Sequence, residues 1–224
     1  MTPDWAAKPT TVPYAKFGNP QSLNLYTYVL NNPLRFVDAD GHIIDDSSLA
    51  DNKKYQKWKK EYLSHDAAKA QWNALNDNKN ITVHMGWDNK GTSSVTGGYQ
   101  WDKSGSLTSV NVTLAGKTGD VSNSMSAESG YKHGSTITDS ALRQAYVMAH
   151  EFAHVEYAQT PSGRDSLEQS QKDADFTSQK FKELGMQPAL QRSDVQQANQ
   201  RLLDASHERE TGADQRAWEV VGPQ

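Results

Sequence analysis

The sequence predicts an α+β fold: a small antiparallel or mixed sheet, one strongly apolar helix and further helices toward the C-terminus. Two observations predict it. Apolar residues recur at helical spacing over residues 46–76 and again from about 140 to 221. Between these stretches, residues 80–116 alternate apolar with polar and are broken by turn clusters. The 224 residues, 35% hydrophobic and 22% charged, allow one sizeable core with a small appendage.

Residues 1–42 are rich in Pro, Asn, Tyr and Trp and show little periodicity, so their own physics is that of a loop-rich arm held by aromatics. Residues 46–76 read as helix, with Leu49, Tyr55, Trp58, Tyr62 and Leu63 near one face. The cluster Lys53, Lys54, Lys57, Lys59 and Lys60 is then a solvated face rather than a binding patch. The strands ITVHMGW, GGYQWD and LTSVNVTLAG, separated by DNKG and KSGS, suggest an antiparallel sheet or meander, with His84 facing solvent. Residues 117–134 are rich in Ser, Gly and Asn and read as a loop able to border a cleft. Three helices follow. Thr138 and Asp139 are good caps for one from about Ser140 to Gln159, ended by Pro161 and Gly163. A polar helix from about Ser166 to Leu184 stops at Gly185 and Pro188, and a last one starts at Ser193–Asp194 and runs to Val221.

Several function classes fall away at this stage. No run approaches the roughly 18 apolar residues of a membrane span, and the N-terminus lacks a basic-then-apolar export pattern. The net charge is -4 and the basic residues are dispersed, which argues against nucleic acid as a partner. Without cysteine there is no disulfide, no thiolate metal site and no Cys nucleophile, so any metal chemistry must use His, Asp and Glu.

The apolar helix carries AYVMAHEFAHVEYA, with His150 and His154 four residues apart and Glu151 directly after the first. Residues i and i+4 share a helix face, so both imidazoles can address one centre, and Glu151 leans over the same spot. This is the His-Glu-x-x-His spacing of a zinc hydrolase: two neutral nitrogen ligands and a carboxylate able to deprotonate a water. At this chain's His and Glu content the pattern arises by chance with a probability of about 1%. Val147, Met148, Phe152, Ala153 and Val155 bury the helix, where polar groups without a common purpose would cost a few kcal/mol.

Catalytic zinc takes three protein ligands and keeps one open position. Tyr157 and Thr160 stand where the extended three-histidine pattern needs Gly and His, so that class is excluded, and the absence of cysteine excludes a cysteine-ligated one. On the last helix, HERETGADQRA places Glu210 and Asp214 at i and i+4, with Ala213 and Ala217 beside them. Small residues there permit close approach to the apolar helix, so Glu210 can supply the third ligand; Glu208, Asp165, Asp173 and Asp175 are the other acids available.

This pairing of His-Glu-x-x-His with a second-helix Glu-x-x-x-Asp resembles the gluzincins, the thermolysin-like clan of zincins. The resemblance implies a zincin-like fold, with Glu210 ligating Zn2+ and Asp214 orienting His150. It implies peptide hydrolysis with Glu151 as general base, and a Tyr or His donor for the oxyanion, for which His207 is the first candidate and Tyr131 and His133 follow. Arg209 stands where the family often has Asn, and the separation of His154 from Glu210 exceeds that of thermolysin itself, so an intervening helix must loop out.

The stretch VPYAKFGNPQSLNLYTYVLNNPLRFVDADGH in turn resembles the end of the core domain of Rhs (YD-repeat) proteins. That resemblance makes residues 1–42 the end of an Rhs core and residues 43–224 a C-terminal toxin, delivered into a competing cell and neutralised in its producer by an immunity protein. Ala39 and His42 replace the Pro and Leu of the family's self-cleavage motif. Two functional classes result. One is a metallopeptidase effector acting on a protein of the target cell, or a hydrolase of a non-peptide amide; the other is a non-catalytic Rhs module whose metal staples two helices. Glu151 discriminates them, because a purely structural site has no use for a base.

Overall fold

The computed structural model describes residues 44–117 and 130–222. The Rhs-like arm, its Asp38–Gly41 element and the stretch 118–129 of the Ser/Gly/Asn-rich loop lie outside them. The described residues form an α+β fold around a four-stranded mixed sheet. In chain order the elements are β1 (Ile44–Asp45), α1 (Lys53–Tyr62), α2 (Asp66–Asn76), β2 (Thr82–Asp88), β3 (Val95–Trp101), β4 (Leu107–Ala115), α3 (Ser140–Ala158), α4 (Pro161–Leu184), α5 (Met186–Leu190) and α6 (Ser193–Val221). Among the described residues no helix is long and apolar enough to cross a membrane.

The stretch 46–76 is two helices rather than one. Asn52 starts α1 by accepting from the amides of Lys54 and Tyr55, both at 3.1 Å, which separates a short 3-10 turn from the helix proper. The chain breaks again at Leu63–His65, where the Ser64 hydroxyl donates to the Glu61 carbonyl at 2.6 Å. This break folds α2 back so that the Tyr62 hydroxyl reaches Gln71 at 2.9 Å and Trp72 meets Phe152 of α3 with ring centroids 5.7 Å apart. The expected apolar face holds: Leu49, Tyr55, Trp58 and Tyr62 are buried, whereas Lys53, Lys54, Lys57 and Lys60 are exposed. Lys59 alone turns inward, paired with Asp46 at 2.6 Å and lying over the Trp72 ring.

The sheet order β1-β2-β4-β3 corrects the meander. Strands β1 and β4 both run parallel to β2, and only β3 and β4 form an antiparallel pair. Turn clusters mark where strands end, but they do not say which strand inserts between which. β2 and β4 therefore occupy the middle, with Val83, Met85, Val110, Val112 and Leu114 buried, while β3 is left at an edge. The register shifts between Gly97 and Trp101 fall where the β4 alternation breaks its parity at Leu107. His84 is exposed, as expected, 3.6 Å from Asp45.

Helix α3 packs across β3 and β4 and is covered by α1 and α6. Asp139 caps it, accepting from the Leu142 amide at 2.7 Å. The link to α4 is shorter than the sequence suggests. Pro161 is the first residue of the next helix, where its missing N–H is no loss, and the Thr160 hydroxyl caps the Gly163 amide at 3.0 Å. α4 then leads away, the unanticipated short helix α5 turns the chain, and α6 returns antiparallel, entered at Arg192 rather than through a Ser193 or Asp194 cap. This excursion is the looped-out helix that the long separation of His154 from Glu210 requires.

Candidate metal centre

Two helices build the centre. Thirteen of the nineteen residues of α3 are buried, His150, Glu151 and His154 among them. α6 approaches through Ala213 and Ala217, both buried, so that Glu210 comes to the paired histidines. The Nε2 atoms of His150 and His154 are 3.1 Å apart; Glu210 Oε2 lies 3.1 Å from the first and Oε1 3.6 Å from the second. Ligands about 2.0–2.1 Å from a tetrahedral zinc stand about 3.3 Å from one another, so these separations fit one ion held by three side chains. Among the described residues, His150, His154 and Glu210 form the group able to hold a metal.

The electrostatics agree with that geometry. Burial alone would raise the Glu210 carboxyl, but hydrogen bonds and charge from His150 and His154 outweigh it and hold the group well below the usual carboxylate range. Glu210 therefore stays ionised, as a ligand must. Glu151 moves the other way: complete burial raises it, against the opposing pull of His150, His154 and Thr96. The Thr96 hydroxyl donates to Glu151 Oε2 at 2.7 Å and lies 3.1 Å from the Glu151 carbonyl, which ties the carboxylate to edge strand β3.

The remaining acids are elsewhere. Glu208 and Asp175 are exposed on α6 and α4, Asp165 pairs with Arg164 at 3.1 Å, and Asp173 is bound by Arg201.

Two assignments carried over from the gluzincin resemblance do not hold. Asp214 does not reach His150. It accepts from the amides of His133 and Gly134, each at 2.8 Å, and from the Tyr146 hydroxyl, while His150 Nδ1 is buried without a partner among the described residues. The pitch of α6 points Asp214 beneath the site, toward the turn 130–136. His207 is exposed and forms no hydrogen bond or ion pair with the described residues, so nothing among them holds it toward the paired imidazoles.

Two groups beside the site were missed or ranked low in the sequence: the first was not singled out there, and the second stood behind His207 as a candidate donor. One is Thr96. The other is Tyr131, whose ring stacks on His150 with centroids 4.8 Å apart and planes 27° apart, near the Glu210 carboxylate. Burial, with the Glu210 charge beside it, pushes this phenol upward, so it is a neutral donor. His133, the other alternative, faces Gln215 at 3.0 Å and stacks on Trp218, away from the paired imidazoles. The available signal was GYKHG, a Tyr and a His bracketed by glycines just before the apolar helix. No protein-family model, curated protein or solved structure matches the chain.

Proposed function

We propose that the chain is a zinc-dependent peptide hydrolase of zincin type, carried as the C-terminal effector of an Rhs protein. It would be translocated into a target cell and restrained in its producer by a cognate immunity protein. One observation carries the hydrolase reading: two histidines of α3 and Glu210 of α6 converge on a point beside Glu151, a buried carboxylate outside the ligand set. The Rhs context rests on the resemblance of residues 1–42.

Zinc held by His150, His154 and Glu210 would polarise the scissile carbonyl and make a water acidic enough to attack near neutral pH. Glu151 takes the proton of the attacking water and passes it to the leaving nitrogen, so one water is consumed for each peptide bond broken. Its raised affinity for a proton, caused by burial, suits both halves of that transfer. Thr96 holds the carboxylate in place beforehand. Tyr131, stacked on His150, replaces His207 as donor to the oxyanion.

A peptide is favoured over a small amide by the strand that carries Thr96. Among the described residues β3 ends the sheet, and main-chain groups on its outer edge could pair with an extended chain. Past Thr96, a groove of about 700 Å³ runs between β3 and α4, walled by Tyr99, Trp101, Leu167 and Leu202. The stacked rings of Tyr99 and Trp101 provide a surface for a bulky side chain.

The test is proteomic. Expression in a susceptible bacterium should create new peptide termini that disappear with Glu151→Gln, while that variant keeps its zinc. Identical termini from both proteins would overturn the peptidase reading and leave the non-catalytic metal staple.

A further inference from the structure

Asp214 is only 1% exposed, and among the described residues none of the three donors it accepts from is a cation. A carboxylate is buried in this way only where donors converge to replace its water. Two of them, the amides of His133 and Gly134, belong to the five-residue segment that carries Tyr131; the third, Tyr146, belongs to α3.

Both ends of that segment are seated by the absence of a side chain. Gly130 has φ +98°, and a Cβ there would stand 2.9 Å from Cβ of Glu210. A Cβ on Gly134 would stand 2.7 Å from the Tyr146 ring. One glycine thus lies flat on α6 beside the ligand Glu210, and the other lies flat on α3 one turn before His150. Between them Tyr131 has little choice but to cover the imidazole.

We propose that Asp214 is a positioning residue that acts through segment 130–134, clamping it onto α3 and α6 so that Tyr131 is held over His150 and Glu210. The clamp replaces direct support of the histidine, whose Nδ1 no side chain among the described residues reaches. The proposal rests on the metal-centre reading of the site.

The experiment uses the zinc-loaded full chain. A tyrosine ring stacked on His150 shifts the His150 ring protons upfield in the NMR spectrum, and Tyr131→Leu sets the value without it. Asp214→Ala should move the His150 signals to that value while zinc remains at one per chain. With fluorescein-labelled casein as the probe substrate, Asp214→Ala should lower kcat by on the order of 10- to 100-fold. In a Tyr131→Phe background the same change should lower kcat by less than about twofold. A purely structural carboxylate would act equally in both backgrounds. If Asp214→Ala does not fold, Gly134→Ala lifts the segment from its other contact and should give the same His150 shift. Wild-type His150 signals in the folded variant, or an equal loss of kcat in both backgrounds, would overturn the proposal. If the wild-type chain leaves casein intact while the His150 signals move as expected, the peptidase reading is in question and the clamp stands.

Discussion

Helices α3 and α4 follow one another with only Gln159 and Thr160 between them, yet they solve opposite problems. Thirteen of nineteen residues of α3 are buried, against three of twenty-four in α4. In α3 the buried polar groups His150, Glu151 and His154 answer one another and Glu210 around a single point. In α4 the polar groups are spread over a solvated surface, and the one buried acid, Asp173, is matched by a single arginine of α6. Charge inside a core has to be matched at close range, whereas charge on an exposed helix face is left to solvent and contributes little. The α4–α6 excursion is also what brings the three candidate ligands together, since it delivers Glu210 to His154 across a long stretch of chain.

The sharpest way to break this contrast is to exchange ligand candidates between the two regions. Glu210→Ala should reduce zinc affinity at least about 100-fold in a chelator competition, because a three-ligand site would keep only two. Asp165→Ala and Asp175→Ala on α4 should leave it unchanged, and an equal loss in either would move the third ligand out of α6. The next effect is on stability. Phe152 is fully buried between Tyr62 and Trp72, with centroids at 5.6 and 5.7 Å, so Phe152→Ala should cost about 3–5 kcal/mol in urea denaturation. Lys172→Ala, on the exposed face of α4, should stay within about 0.5 kcal/mol. Comparable losses in the two variants would mean that α4 is a core helix after all.

The parts that were legible in the sequence follow the same division. His150, Glu151 and His154 could be read because helix periodicity and metal geometry constrain the same residues twice, and Glu210 because flanking alanines announce a close helix contact. Asp214 and His207 were misplaced for a physical reason: spacing fixes a residue's angle around its helix but not what stands opposite. The partners of Asp214 are amides some eighty residues earlier, in a turn whose geometry depends on two glycines having no side chain. The sheet order failed similarly. Period-two alternation marks strands, whereas the insertion of β4 between β2 and β3 is a matter of long-range pairing that leaves no local trace.

The smallest expected effect concerns how α4 is fastened to α6. Arg201 binds Asp173 through two nitrogens, at 2.5 and 2.9 Å, and Arg209 adds a bond to the Ser170 hydroxyl at 3.0 Å. The hydrogen bonds from Arg201 hold the Asp173 carboxyl below its ordinary value despite partial desolvation. A carboxyl depressed in the folded state stabilises the fold above its unfolded pKa of about 3.9 and loses that contribution as pH falls through the folded value. Asp173→Asn should therefore be less stable than wild type by the same small margin at pH 7 and pH 5, with the gap closing below about pH 4. Urea denaturation of both proteins across that range measures the difference directly, and other carboxylates cancel in the comparison. A margin that persisted to pH 2.5 would assign the coupling of α4 to α6 to shape rather than charge, and the two helices would then differ less than their exposure suggests.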